Sequence, residues 1–168
     1  MGSARGLADH VEKWMSWVPG IGTYREREKR RETDKKIREH IADDLQEVRS
    51  HLKRTITDFS RKGNLDFLVD LDQLSTQIQQ LMDTIRYASY GYAGIFALEK
   101  IREEEIHRLC SFDLSLKEDV ENLRKKIGEI TPTLSADDLK KKILEAGKVV
   151  VDLDEKYKSR KEFMGRNA

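Results

Sequence analysis

The sequence predicts an all-α protein, an elongated antiparallel helical bundle or coiled-coil hairpin, and three observations carry that prediction. Apolar residues between Leu71 and Ile130 recur at alternating spacings of three and four. Leu71, Leu74, Ile78, Leu81, Ile85, Ala88 and Tyr92 form one run; Ile106, Leu109, Leu116, Val120, Leu123, Ile127 and Ile130 form a second in the same phase, with Asp113 at the one missing seam position. Such spacing buries one stripe of a helix against another helix and leaves the other faces wet. The chain has only 2 prolines in 168 residues, so long helices meet few breakers. Its 38% charged, 38% hydrophobic and 7% aromatic residues suit long helices with thin apolar stripes better than a thick globular core.

The length is that of one domain, divided by its breakers into residues 1–22, 23–130 and 131–168. Residues 7–18 read as an amphipathic N-terminal helix, with Leu7, Val11, Trp14, Met15 and Val18 on one face and Asp9, Glu12, Lys13 and Ser16 largely opposite. Pro19-Gly20-Ile21-Gly22 then forms a hinge. A second helix is expected from Thr23 to Lys62, about 60 Å at 1.5 Å per residue. Its seam of Ile37, Ile41, Leu45, Val48, Leu52, Ile56 and Phe59 follows an 11-residue repeat, which favours a nearly straight helix. Gly63 is a good terminator and Asn64 a good N-cap for the next helix.

The third helix is expected from Leu65 towards Lys100. A turn there is favoured because Lys100 and Arg102, followed by Glu103-Glu104-Glu105, match the dipole preferences of one helix ending and another starting. The heptad phase also allows one unbroken helix over 65–128. Thr131-Pro132-Thr133 stops the fourth helix, and Ser135 with Asp138 reads as a capping box for a fifth. That appended C-terminal helix has its own seam of Leu139, Ile143, Ala146, Val150, Leu153 and Tyr157, and residues 165–168 are expected to fray.

Several function classes are argued against by composition. Lys plus Arg is 32 and Asp plus Glu 31, a net charge of +1, so the chain as a whole is no polycation. The single cysteine, Cys110, excludes an intramolecular disulfide and fits a reducing compartment, where its helical setting makes it a small core residue. No apolar stretch approaches the roughly 20 residues that span a bilayer. Asp9, Glu12 and Lys13 interrupt any apolar leader, so a cytoplasmic protein is expected.

The catalytic motifs each meet a plainer explanation. Val149-Val150-Val151-Asp152-Leu153-Asp154 has the form of a phosphatase nucleophile strand, yet the heptad of Val150, Leu153 and Tyr157 accounts for the same residues. Gly147-Lys148 lacks the first glycine of a phosphate loop. Glu104-x-x-His107 has the spacing of one helix of a carboxylate-bridged di-metal bundle, which needs a second such pair. No enzyme signature and no cofactor are expected. A di-metal or other ligand-binding bundle using Glu104, His107 and the tyrosine cluster is the alternative reading.

Two polar features stand out. The basic patch of Arg25, Arg27, Lys29, Arg30, Arg31, Lys35 and Lys36 is interleaved with Glu26, Glu28, Glu32 and Asp34, a mixed pattern that marks a solvated or partner-pairing helix face rather than a nucleic-acid stripe. Around Ala88-Ser89-Tyr90-Gly91-Tyr92-Ala93-Gly94, two glycines at about 1 kcal/mol each and clustered phenols suggest close packing. Asp113, acidic on an apolar seam, needs a partner. The expectation is a buried polar cluster of Arg86, Tyr90, Tyr92 and Asp113, with Asp113 paired to Tyr92 or Arg86.

Pro19-Gly20-x-x-x-Tyr24, Glu28-x-Arg30-Arg31-x-x-Asp34-Lys35, and the Ala88–Gly94 string with Phe112-Asp113 resemble an uncharacterised family of bacterial all-helical proteins, over about residues 19–128. The resemblance implies genes beside band-7 (SPFH-type) membrane scaffolds, hence a membrane-associated partner, and carries no activity. In outline alone the chain is also similar to phage-shock-type membrane scaffolds.

The functional expectation is a noncatalytic scaffold or adaptor that self-associates and binds protein partners. Leu7, Val11, Trp14, Met15, Trp17 and Val18 would contact a partner helix or a membrane surface peripherally at its cytoplasmic side.

Overall fold

Four α-helices dominate the residues that a computed structural model describes, 27–88 and 103–165, with the side chains of 27–31, 103, 106, 107 and 165 outside that description. They are α1 (Arg27–Arg61), α2 (Leu68–Arg86), α3 (Glu103–Gly128) and α4 (Ala136–Gly165). No strand occurs among the described residues, and no described helix is long and apolar enough to cross a membrane.

The α1–α2 connection follows from Gly63. This glycine has φ +75, the left-handed conformation that ends a helix. The Gly63 N–H donates to the Ser60 carbonyl at 3.1 Å and the Asn64 N–H to the Phe59 carbonyl at 3.0 Å, the paired bonds of a Schellman motif. The site is sterically open, with nothing within 4 Å of an added Cβ. Gly63→Ala should therefore destabilise the protein by about 1–2 kcal/mol through backbone strain alone, measured as a lower midpoint of urea unfolding at unchanged slope. Asn64 does not cap α2 as the sequence suggested. Its side-chain amide donates to the Pro132 carbonyl at 3.0 Å, tying the α1–α2 turn to the α3–α4 turn, and α2 begins after Phe67, whose side chain makes no cap.

α2 ends at Arg86, well short of the expected Lys100. Two of its last carbonyls have found another partner: Arg38 of α1 donates through Nη1 to the Ile85 oxygen at 3.2 Å and the Arg86 oxygen at 3.1 Å. A cation on terminal carbonyls stabilises a helix end there. Residues 89–102, with most of the glycine and tyrosine string, lie outside the described residues.

α1 and α2 run antiparallel, as Arg38 meets Ile85 while Arg49 reaches the Ser75 carbonyl at 3.3 Å. α3 and α4 form a second antiparallel hairpin, with Lys126–Glu145 at 3.1 Å and ion pairs Lys142–Glu129 and Lys156–Asp119 along it. Ser135 caps α4 as expected: its Oγ accepts the Asp138 N–H at 3.2 Å and its hydroxyl donates to the Asp138 carboxylate at 2.6 Å. The hairpins lie side by side, α1 along α3 and α2 along α4. Asp34 and Asp113 share Arg160, while Glu47 meets Arg124 further along both α1 and α3. Asp70 lies by Lys140, while Thr84 lies by Lys158 further along both α2 and α4, so these neighbours are parallel.

This arrangement explains the width of the buried stripes. Each helix has two neighbours, so α1 buries Ala42, Thr33 and Thr55 beside its expected seam of Ile37, Ile41, Leu45, Val48, Leu52 and Phe59, whereas Ile56 of that seam is only half-buried. The expected seams of α2, α3 and α4 are buried wherever their side chains are described, apart from the half-buried Ala88. The C-terminal helix, read from sequence as an appendage, completes the bundle by packing on α2 and α3. The Val149–Asp154 segment is helical, with Val150 and Leu153 in the core.

Candidate functional site: a buried ion network joining the helices

At the bundle end opposite the two turns, four charged residues are almost wholly buried. Asp113 of α3 has 0% exposure, Arg160 of α4 2%, and Asp34 and Arg38 of α1 5% each. Arg160 Nε donates to Asp113 Oδ1 at 2.6 Å, and its Nη1 lies 2.9 Å from Asp34 Oδ1. Arg38 Nε donates to Asp34 Oδ2 at 2.9 Å, and Arg38 then reaches the end of α2. One chain of charges thus runs from α3 through α4 and α1 to α2.

Buried charges are costly to desolvate, and mutual attraction offsets that cost only in good geometry. Alternating acid and base with two shared partners offsets part of that cost, while Asp34 Oδ1, 2.9 Å from Arg160 Nη1, accepts no hydrogen bond of good geometry. Arginine is a permanent cation with fork-shaped donors, so the network works as a clamp and not as a proton relay. A slip of one helix by a turn would separate these partners by about 5 Å, which makes the network a register lock.

The surroundings are apolar. Arg160 Nη1 also lies 3.0 Å from Met164 Sδ, and Arg108 sits 4.7 Å over the Phe163 ring, itself 5.9 Å from Phe112. Tyr157 is buried in the same region, and burial pushes its phenol upward. Burial, and next the nearby Asp113 charge, push the Cys110 thiol up to about 12. Cys110 is therefore a core residue, as its helical setting suggested. At pH 8 its native thiol should resist a disulfide reagent and react only when the bundle opens, at least about a hundredfold more slowly than the unfolded chain. The sign of the linkage is fixed: the thiol's contribution is complete below pH 9.0, its unperturbed value, and is lost as pH rises towards 12, because the unfolded thiol ionises first.

A second charged seam lies between α1 and α3. Arg124 meets Glu47 at 2.9 Å and Glu121 at 3.7 Å. Burial raises the pKa of Asp44 there, opposed by Lys117 and Arg124.

The expected polar cluster is only partly realised. Asp113 is buried and pairs with Arg160, while Tyr92, one of its two expected partners, lies outside the described residues. Arg86 instead meets Asp43 at 2.5 Å near the surface, because its position at the end of α2 turns it away from the bundle axis. Tyr90 and Tyr92 lie outside the described residues. So do Leu7, Val11, Trp14, Met15, Trp17 and Val18, and of the basic patch Arg25 entirely and the side chains of Arg27, Lys29, Arg30 and Arg31. Lys35 and Lys36 are described, and they make the i,i+4 pairs Lys35–Glu39 at 3.7 Å and Lys36–Glu32 at 2.8 Å that the mixed pattern anticipates. Glu104 is exposed, and the His107 side chain lies outside the description. Among the described residues no three His, Cys, Asp or Glu side chains are grouped to hold a metal.

Sequence reasoning missed Arg160, Arg38 and Asp34 as members of this network, although a signal for Arg160 was present. The α4 seam continues by three and four from Tyr157 to Arg160 and Met164, so a lone base sits on one seam as a lone acid, Asp113, sits on another. Asp34 and Arg38 were hidden in the charged run that opens α1.

The bundle also presents an unusual outer face. From Gln73 to Met82, α2 has no charged residue. Beside it α4 leaves Leu144 66% and Val151 50% exposed, along shallow grooves bordered by Gln73, Gln77, Gln80 and Thr84. Comparison with known proteins finds no matching family model, no matching curated protein and no matching solved structure for this chain.

Proposed function

We propose that the protein is a noncatalytic helical scaffold or adaptor that acts through self-association and protein partners, with residues 7–18 as its peripheral contact to a membrane surface. The carrying observation is the α2–α4 face. In a chain with 38% charged residues, ten successive α2 residues are uncharged, and α4 places two large apolar side chains in water beside them. Interfaces are depleted in charge at their centres because burying a charge costs more than burying an amide or an apolar group. The buried charges, by contrast, are committed to one another and hold a rigid rod.

The membrane contact is supported by the amphipathic pattern of residues 7–18 and by Trp14 and Trp17, whose rings suit the headgroup boundary. The test is sedimentation equilibrium of the full chain together with flotation on anionic vesicles, repeated with Trp14→Ala/Trp17→Ala. Concentration-dependent association, and flotation that the tryptophan substitutions abolish, are expected. A strict monomer that ignores vesicles would sink the reading.

A further inference from the structure

We propose that the outer face of α4 is where two copies of this chain meet, antiparallel, about a two-fold axis level with Gly147 and Lys148. The inference rests on the self-association reading and supplies its interface.

Leu144 and Val151 are both exposed and one heptad apart, so they share one outward row of the helix. Antiparallel alignment about Gly147 sets Leu144 of each copy against Val151 of the other, giving two apolar contacts from one two-fold operation.

The charges on the same row select the direction. Its N-terminal half carries Lys140 and Lys141, and its C-terminal half carries Glu155 and Asp154, the latter also paired with Lys158 at 2.5 Å. Lys148, between Leu144 and Val151, meets its own copy in either direction and does not discriminate. Antiparallel packing places the two lysines of each copy against the two acids of the other, at both ends of the contact. Parallel packing would set lysines on lysines and acids on acids. Flanking charges set partner orientation in helix pairs for this reason. The adjoining row of α2 adds Gln73, Gln77 and Gln80, with Asp70 and Lys148 lining the same groove.

The test uses the full chain. Sedimentation velocity should show a dimer, and Leu144→Glu should raise its dissociation constant about a hundredfold, with unchanged circular dichroism because the side chain is exposed. Reversing one half of the row with Lys140→Glu/Lys141→Glu, or the other with Asp154→Lys/Glu155→Lys, should weaken each homodimer, whereas a mixture of the two variants should associate. Direction is read by cysteines. Chains with Leu144→Cys and Val151→Cys should cross-link on mild oxidation only when mixed, since like sites lie about 10 Å apart along the axis, too far for a disulfide. Cys110 is buried and does not compete. A dimer indifferent to Leu144→Glu, or like-with-like cross-linking of Leu144→Cys, overturns this interface while leaving self-association standing. A monomer at every concentration overturns both.

Discussion

Replacing Asp113 by alanine should cost about 3–5 kcal/mol of unfolding free energy, because it leaves Arg160 as an incompletely compensated buried cation in an apolar setting. The cost arises from what is left behind. Asp113 has 0% exposure and meets Arg160 at 2.6 Å, so no water can replace the lost carboxylate without opening the α3–α4 packing. A double substitution, Asp113→Leu with Arg160→Met, removes both charges together and should lose much less than the sum of the single changes, since hydrophobic replacement of a buried pair is often neutral or better. Urea unfolding of the wild type, the two single variants and the double variant closes the cycle. A loss below about 1 kcal/mol for Asp113→Ala would mean that the site hydrates and that the network is no lock.

The core substitution with the largest expected effect is Phe59→Ala, at about 3–5 kcal/mol. Phe59 is the largest fully buried side chain among the described residues, and its carbonyl accepts the Asn64 N–H that closes the α1–α2 turn. Truncation removes apolar contact and opens a cavity at a place held by backbone hydrogen bonds, where collapse is hardest. Thermal unfolding should show a fall in midpoint several times that of Gly63→Ala. The matching control is Leu144→Ala, which in the monomer should change stability by no more than about 0.5 kcal/mol because the side chain is 66% exposed. A small effect of Phe59→Ala would place the turn end of the bundle outside the cooperative core.

These two residues also mark how far the sequence was legible. Phe59 closes a run of apolar positions whose spacing alone predicts its burial, and Gly63 predicts the turn that follows. Asp113 was recognisable as a buried acid from its place on the α3 seam, yet its Arg160 partner on α4 was not anticipated. Arg86 is nearer in sequence, but Arg160 is nearer in space, because α4 folds back along α3 and brings its last turns beside the first turns of α3. The end of α2 was misplaced for a related reason. Heptad phase persists past Arg86 in the letters, whereas the chain stops the helix where Arg38, 48 residues earlier, takes its terminal carbonyl.

The sequence by itself determined that this chain is helical, which residues form the seams, where α1 stops and how α4 is capped, since each depends on periodicity or on contacts within a few residues. The tertiary structure alone decided which of the described helices are neighbours, that the hairpins pack in parallel register, and that buried charges on α1, α3 and α4 are linked and reach the terminal carbonyls of α2. Those outcomes depend on which desolvated charges can meet across the bundle. Such pairings join residues far apart along the chain, and local spacing does not encode them.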